Sequence, residues 1–377
     1  MQIVFWFCIG ILVYIYFGYP LLLGSGLLGR RRPIRKKETF PSVSIVIPAH
    51  NEESVIEAKL RNLLSLDYPS DKLEILVGSD GSTDRTEELV RRFPADRVRL
   101  VVSPVQCGKS AIQNRLVTQS SGEIIVFTDA DSLIDRDGLR RMMENFGDPQ
   151  VGLVTISPSY SNPNETYLAR NESLYWRYEN WLRGQESERV LLAAATGWLF
   201  GMRRSLWEPL DPNVGDDFVL PLKVALQGSR NVVDETIEVE SRLTQVESSS
   251  MLRMKVRIVS KDLRGLLANK RILNPFANAP LAIAMWSHKL LRWLVPYFLL
   301  ATLVSNLFLL ENFFYRIVVA LQVLFYGIAV AGSTSGEPEL KQPWSVPQSF
   351  CLVNLAALLG TLHCAAGRPM GVWKPVR

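Results

Sequence analysis

Apolar positions are gathered at the two ends of the chain and spaced out in the middle. Ile3 to Leu28 carries no charged residue, and about 20 such residues suffice to cross a hydrocarbon core. A cleaved signal sequence is the other reading, but the stretch has no basic lead and outruns a usual h-region. Leu294–Leu310, Ile317–Gly332 and Val346–Ala366 are further apolar segments, with Trp293, Tyr297, Tyr315 and Trp344 near their ends, where interfacial aromatics sit. Four spans are predicted. Between Phe40 and about Asn278 the pattern changes to alternation. Ser42–Ile47, Leu73–Val77, Val98–Ser103 and Glu123–Thr128 read as strands. Glu53–Leu66, Asp84–Phe93 and Ser110–Gln119 carry helical spacing. Such alternation predicts a mainly parallel sheet with helices on both faces.

The chain therefore divides into a membrane helix (1–28), a basic linker (29–40), an α/β domain (41–250), amphipathic interfacial helices (251–290), three membrane helices (291–366) and a tail (367–377). The linker holds six positive charges between Arg30 and Lys37. Beside a span they mark the cytoplasmic side, and they suit anionic headgroups as well. Arg253, Lys255, Arg257, Lys261, Arg264, Lys270 and Arg271 alternate with Leu, Val and Ile, as in a helix lying in the interface; a solvated surface helix is the plainer alternative. Four spans put both termini outside, against the pull of Arg368, Lys374 and Arg377 in the tail.

Composition narrows the classes. A 47% apolar content with mean hydropathy of +0.09 excludes a disordered chain, a collagen-like fibre and a small disulfide scaffold. The net charge of +5 is small for a nucleic-acid binder. Four scattered cysteines and three histidines give no disulfide framework, no zinc site and no His-built metal centre.

The chemistry lies where strands end. Pro48-Ala-His-Asn-Glu-Glu53 follows the first strand, Gly78-Ser-Asp-Gly-Ser-Thr-Asp84 the second and Asp129-Ala-Asp131 the fourth, with Gly108-Lys-Ser110 between. Ligands on such sheets bind beyond the carboxyl ends of the strands. Asp129 and Asp131 are spaced to reach one centre, and with phosphate oxygens they suit Mg²⁺ or Mn²⁺. Asp80 and Asp84 suit a base or ribose edge, and Lys109 a phosphate. The alternative is that these Asp and Gly residues only form turns and caps. His50 is read as a neighbour of the pocket. Leu174–Trp181 is an aromatic cluster that either packs or stacks on sugar.

These motifs, in this order, resemble a family-2 glycosyltransferase with the GT-A fold. Ala195-Thr-Gly-Trp-Leu-Phe-Gly-Met-Arg-Arg204 resembles the family's acceptor-side loop and Gly215-Asp-Asp-Phe218 its acidic motif. The four-span frame is similar to membrane polysaccharide synthases of the chitin-oligosaccharide, hyaluronan and cellulose type. The resemblance implies a Rossmann-like, mainly parallel mixed sheet. It implies that Pro48, Ala49, Glu52 and Asp80 line the nucleoside pocket, with Lys109, Asp129 and Arg257 also on the donor. It makes Asp131 and Asp129 the metal pair, Asp217 the base, Asp216 its neighbour in place of Glu, and Gly197 and Trp198 the acceptor side, to which the stacking reading of the aromatic cluster adds Trp181. Processive members carry Q-x-x-R-W after the acidic motif. Met254-Lys-Val-Arg-Ile258 keeps only Arg257 of it, so processivity stays open, and Ser287–Trp293 is read as an interfacial anchor.

The expectation is an inverting, metal-dependent enzyme, integral to the membrane, with its catalytic domain cytoplasmic. It takes a sugar from a nucleotide carrier, UDP being the expected one, to a polysaccharide or lipid-linked acceptor. Transfer of one sugar to a polyprenyl phosphate or lipid, and a catalytically silent membrane subunit, are the alternatives. A transporter finds no ionisable cluster within the spans. A second copy or an export component is compatible as a partner.

Overall fold

The computed structural model describes residues 1–158, 167–240, 248–334 and 345–367. It opens with helix α1 (Gln2–Gly24), which carries a π turn at Tyr14–Gly18. The basic linker then runs along the folded domain, where Arg31 pairs with Glu188 (3.0 Å) and Lys36 with Asp234 (2.7 Å).

The domain follows in the order β1 (Val43–Ala49), α2 (Ile56–Leu64), β2 (Leu73–Asp80), α3 (Thr86–Val90), β3 (Val98–Ser103), α4 (Lys109–Gln119) and β4 (Ile124–Thr128). Then come β5 (Leu133–Ile134), α5 (Gly138–Asn145), β6 (Val151–Ile156), α6 (Tyr167–Glu188), β7 (Leu199–Arg203), α7 (Asp216–Leu226), β8 (Arg230–Asp234) and β9 (Val239–Glu240). Seven strands form one sheet in the order β3-β2-β1-β4-β7-β6-β8. Only β7 runs against its neighbours β4 and β6; the remaining pairs are parallel. β1 and β4 are buried along their whole length, which is why they read as unbroken β-branched runs. This is the GT-A arrangement expected, and its order sets the carboxyl ends of β2, β1 and β4 side by side.

Each face of the sheet has its own core. On one, Ile56, Leu60 and Leu63 of α2 pack with Leu139, Met142 and Met143 of α5. On the other, Leu116 and Val117 of α4 and Phe218, Leu220 and Leu222 of α7 join Tyr19, Leu23, Met285 and Trp293. The last four belong to apolar helices at the chain ends, so the second core is continuous with the membrane part.

Helix α8 (Ser248–Ala268) carries the basic run. It lies against α11 (Ser345–Ala365), where a Cβ on Gly360 would come within 2.8 Å of the Val259 Cβ and 3.0 Å of the Val256 carbonyl. Glycine permits this approach. Between them come α9 (Ala279–Leu307) and α10 (Phe313–Thr334). Helices α1, α9, α10 and α11 are long and apolar enough to cross a membrane. The tail charges Arg368, Lys374 and Arg377 and the aromatic Trp344 lie outside the described residues.

The expected boundary at 290/291 falls inside α9, which begins well before Leu294. Ser287–Trp293 is thus part of a helix. The polar residues here are satisfied sideways by α6. His288 reaches Glu186 (2.7 Å) and Glu179 (2.9 Å), Arg292 donates to Glu179 (2.8 Å), and Tyr19 of α1 donates to Glu186 (2.5 Å). Buried charges paired in this way let the helix continue.

The β1–β4 contact leaves no room at Gly122. A Cβ there would meet the Ser44 amide nitrogen at 2.5 Å and the Val43 carbonyl carbon at 2.8 Å. Gly122→Ala is expected to destabilise the domain by about 1–3 kcal/mol, the usual cost of overpacking. Thermal unfolding in detergent reads this, and an unchanged midpoint would contradict the packing.

Candidate active site

The first two polar clusters are fastened together. Asn51, in the left-handed region at φ 55°, accepts from the Thr83 amide (2.8 Å); asparagine tolerates that conformation. The Glu52 amide donates to Thr86 Oγ1 (2.7 Å) and the Glu53 amide to Asp84 (3.0 Å). His50 Nδ1 lies 2.7 Å from the Asp80 carbonyl. Asp84 also accepts from the Thr86 amide (3.0 Å), an Asx turn just before α3. Pro48 and Ala49 end β1 inside the protein, and Glu52 is 4% exposed.

Asp80 is fully buried. Its carboxylate accepts from the amides of Cys107 (2.7 Å) and Gly108 (2.9 Å) and from the Cys107 thiol (3.0 Å). It therefore shapes the loop before α4. Gly108 sits at φ 96°, which glycine adopts without strain, and the next residue is Lys109.

Lys109 is the hub. Its Nζ donates to Asp129 at 2.9 Å and lies 3.4 Å from Asp216. Asp216 and Asp217 open α7, where the helix dipole favours negative charge. Burial works against the charge of Asp216, but Lys109 and the Gln113 amide (2.7 Å) hold it below the usual carboxylate range. Asp217 is pushed up to about 6 by burial and by Asp216, with Lys109 opposing and Asp129 adding. Burial raises Asp129 too, with Lys109 opposing and Asp131 and Asp216 adding. Adjacent carboxylates thus differ in kind, as an anchored anion and a group that titrates near neutrality.

Two glycines keep Asp217 open. A Cβ on Gly197 would stand 3.3 Å from one Asp217 oxygen and 3.7 Å from Asp129. A Cβ on Gly215 would stand 3.2 Å from the other Asp217 oxygen and 3.0 Å from Asp262. Trp198 packs against the core and its carbonyl accepts from Thr128 (2.8 Å). Arg257 is half-buried on α8, with Asp217, Asp129 and Asp216 as its electrostatic neighbours; burial lowers its pKa. Trp181 stands on α6, 44% exposed, and the side chains of residues 167–175 are not described.

The structure adds residues that the sequence reading missed. Gln113, one turn after Lys109, orients Asp216. Asp262 faces Asp217 from α8, and Lys289 of α9 acts on both carboxylates. Lys59 lies beneath the Asp129–Asp131 loop. Lys59 alone left a trace, as a cation on the apolar face of α2 between Ile56 and Leu63.

The donor set fits a hard divalent cation. Asp129 is partly open and Asp131 exposed. Among the described residues, no group of three or more His, Cys, Asp or Glu assembles as a ligand set. Two carboxylates from the chain, completed by phosphate oxygens, is how such an ion is held with a nucleotide.

Residues 44–210 match the model described as Glycosyl transferase family 2. This segment is similar to family-2 glycosyltransferase domains. The chain is 32% identical over 196 residues to a probable glycosyltransferase, YdaM, of Bacillus subtilis, covering 49% of this chain and 47% of that protein. It is 31% identical over 156 residues to a beta-monoglucosyldiacylglycerol synthase of Synechocystis, covering 40% and 30%. It is 31% identical over 134 residues to a poly-beta-1,6-N-acetyl-D-glucosamine synthase of Staphylococcus aureus, covering 35% and 32%. The chain spans less than half the length of these curated relatives. A solved mannosyltransferase from Pyrobaculum calidifontis, in complex with GDP-Man and Mn2+, shares the fold with a TM-score of 0.75 at 23% identity. That likeness covers 97% of this chain and 99% of that one. The fold of the α/β domain together with its long apolar helices is thus one already seen.

Within this domain Asp80 carries a specific load. Asp80→Ala leaves two amides unmet, at a cost of about 1–3 kcal/mol. Burial and the Asp80 hydrogen bond both hold the Cys107 thiol up. Losing Asp80 is expected to speed alkylation at Cys107 by up to about tenfold, the scale of one pKa unit. Mass spectrometry of the Cys107 peptide over a time course checks this, and an unchanged rate would contradict the role.

Proposed function

We propose that the protein is a membrane-embedded, inverting glycosyltransferase. It moves a sugar from a nucleotide sugar, UDP-linked in the favoured form, to a polysaccharide or lipid-linked acceptor of the cell surface. The observation that carries the reading is the gathering of Asp129, Asp216 and Asp217 around Lys109, with Asp217 raised to about 6 and flanked by Gly197 and Gly215.

Asp217 takes the proton of the acceptor hydroxyl. The freed oxygen bonds to the anomeric carbon as the bond from that carbon to the diphosphate oxygen breaks on the opposite face, so configuration inverts. Electrons of the broken bond leave with the nucleoside diphosphate. Lys109 meets the developing charge on that group, and Arg257 approaches the same centre from α8. Asp129 and Asp131 hold Mg²⁺ or Mn²⁺, which supplies charge stabilisation to the diphosphate when bound. Asp216, fixed by Lys109 and Gln113, keeps Asp217 titrating late by like-charge repulsion. Pro48, Ala49 and Glu52 back the nucleoside side, Asp80 acts there through the 107–108 loop it holds, and Gly197, Trp198 and Trp181 form the acceptor side.

The positive charges of the linker support a cytoplasmic domain, on the side where nucleotide sugars are made. A second reading is transfer of a single sugar to a lipid acceptor. It is favoured by Met254–Ile258, which keeps Arg257 but lacks the Gln and Trp of processive synthases. The relatives include proteins named for each outcome, a glucosyldiacylglycerol synthase and a polysaccharide synthase. Product size on a gel separates the two readings.

Asp217→Asn is expected to leave nucleotide binding near wild type and to lower turnover by at least about 10²-fold. A base must be unprotonated, so kcat/KM of the wild type falls as pH drops through about 6 and levels off above it. Turnover within a factor of a few in the variant, or a flat profile between pH 5 and 8 (about one unit below and two above that value), removes Asp217 from the mechanism.

A further inference from the structure

Lys59 has no part in the chemistry above, yet it is fully buried in the apolar face of α2 among Ile56, Leu60 and Leu63. A lysine in such a place is rare and costly unless its hydrogens find acceptors. Here they do, at both ends of one loop. Nζ donates to Thr128 Oγ1 at 2.8 Å, just before Asp129, and to the carbonyl of Ser132, just after Asp131. The Thr128 hydroxyl, accepting from Lys59, donates in turn to the Trp198 carbonyl at 2.8 Å, a polarity that a hydroxyl allows. One turn further along α2, Asn62 donates to the Ile134 carbonyl (2.8 Å) and accepts from its amide (3.0 Å).

We propose that Lys59 is the positioning residue of the Asp129–Asp131 loop, setting the affinity of the site for its divalent cation and locking that loop to the Gly197–Trp198 segment on the acceptor side. The inference rests on reading Asp129 and Asp131 as the cation's carboxylates. Helix α2 is the rigid element, and Lys59 and Asn62 are its two grips on residues 128–134. The span between the Lys59 contacts is short, so fixing both flanks leaves Asp129 and Asp131 little freedom except at the side chains. Burial brings the Lys59 pKa down to about 7, against the pull of Asp129 and Asp131. The ammonium and the neutral amine can both donate the two bonds, so the positioning role holds in either state. A group placed behind metal ligands in this way governs affinity by about 10–100-fold.

The sign of the effect makes the test sharp. Removing positive charge from behind a cation site strengthens cation binding by Coulomb attraction alone, whereas removing a positioning contact weakens it. The probe is Mn²⁺ itself, titrated into the full-length protein in detergent with UDP or GDP present and followed by the EPR signal of the free ion. Lys59→Met is expected to raise the Mn²⁺ dissociation constant at least about tenfold. Metal-free nucleotide binding and the unfolding midpoint are expected to stay close to wild type. Unchanged or tighter Mn²⁺ binding in folded Lys59→Met overturns the proposal. If that variant fails to fold, Thr128→Val decides. It cuts the link to Trp198 and is expected to weaken Mn²⁺ by several-fold, and an unchanged value there overturns the proposal instead. Wild-type protein that binds no Mn²⁺ with either nucleotide overturns the metal reading itself, and this arm is read independently of the variants.

Discussion

Like charges crowd the carboxyl end of the sheet, and most of the architecture serves to hold them there. Asp129 follows β4, Asp216 and Asp217 open α7, and Lys109 opens α4 between them. Carboxylates brought together this closely cannot all behave alike. One is anchored as an anion by Lys109 and Gln113, while its neighbour is pushed up to about 6. Two helix N-termini, a buried lysine and two glycines are arranged around that difference. Asp80, at the end of β2, contributes at one remove by shaping the loop that delivers Lys109.

The same site is bound to the membrane part of the molecule. Core residues of α4 and α7 are continuous with Tyr19 of α1 and Met285 and Trp293 of α9. His288 stands between Glu179 and Glu186, and Tyr19 and Arg292 close the network. A buried charge network of this kind adds little over an apolar core of the same shape, but removing one partner alone is costly. From α8, Arg257 and Asp262 face the carboxylates.

Much of this was legible in the residues. The strands β1, β2 and β4, buried on both faces, leave nearly continuous apolar runs, and turn residues mark their ends, so they and their polar clusters stand out. The Asp129-Ala-Asp131 spacing carries its own chemistry. What stayed hidden depends on partners distant in sequence. The start of α9 was masked by Ser287–Arg292, whose polar side chains look like the end of a span until Glu179 and Glu186 of α6 are seen to meet them. Asp262 sits in a basic run and looks like one of its counterions, and only the packing of α8 beside α7 turns it toward Asp217. The strand β7, antiparallel within a parallel sheet, has no local signature. Lys59 breaks the apolar face of α2, and that break was the visible clue to a contact beyond its own helix.

The most direct test of the central claim is release of nucleoside diphosphate by the purified full-length protein, in detergent with added lipid extract, across a panel of UDP- and GDP-sugars. The account predicts release from one donor in Mg²⁺ or Mn²⁺, dependent on the lipid or glycan fraction and lost when chelator is added. Steady release in excess chelator would contradict the role of Asp129 and Asp131. No release from any donor, by folded protein that still binds nucleotide, would contradict the claim that this site transfers sugar.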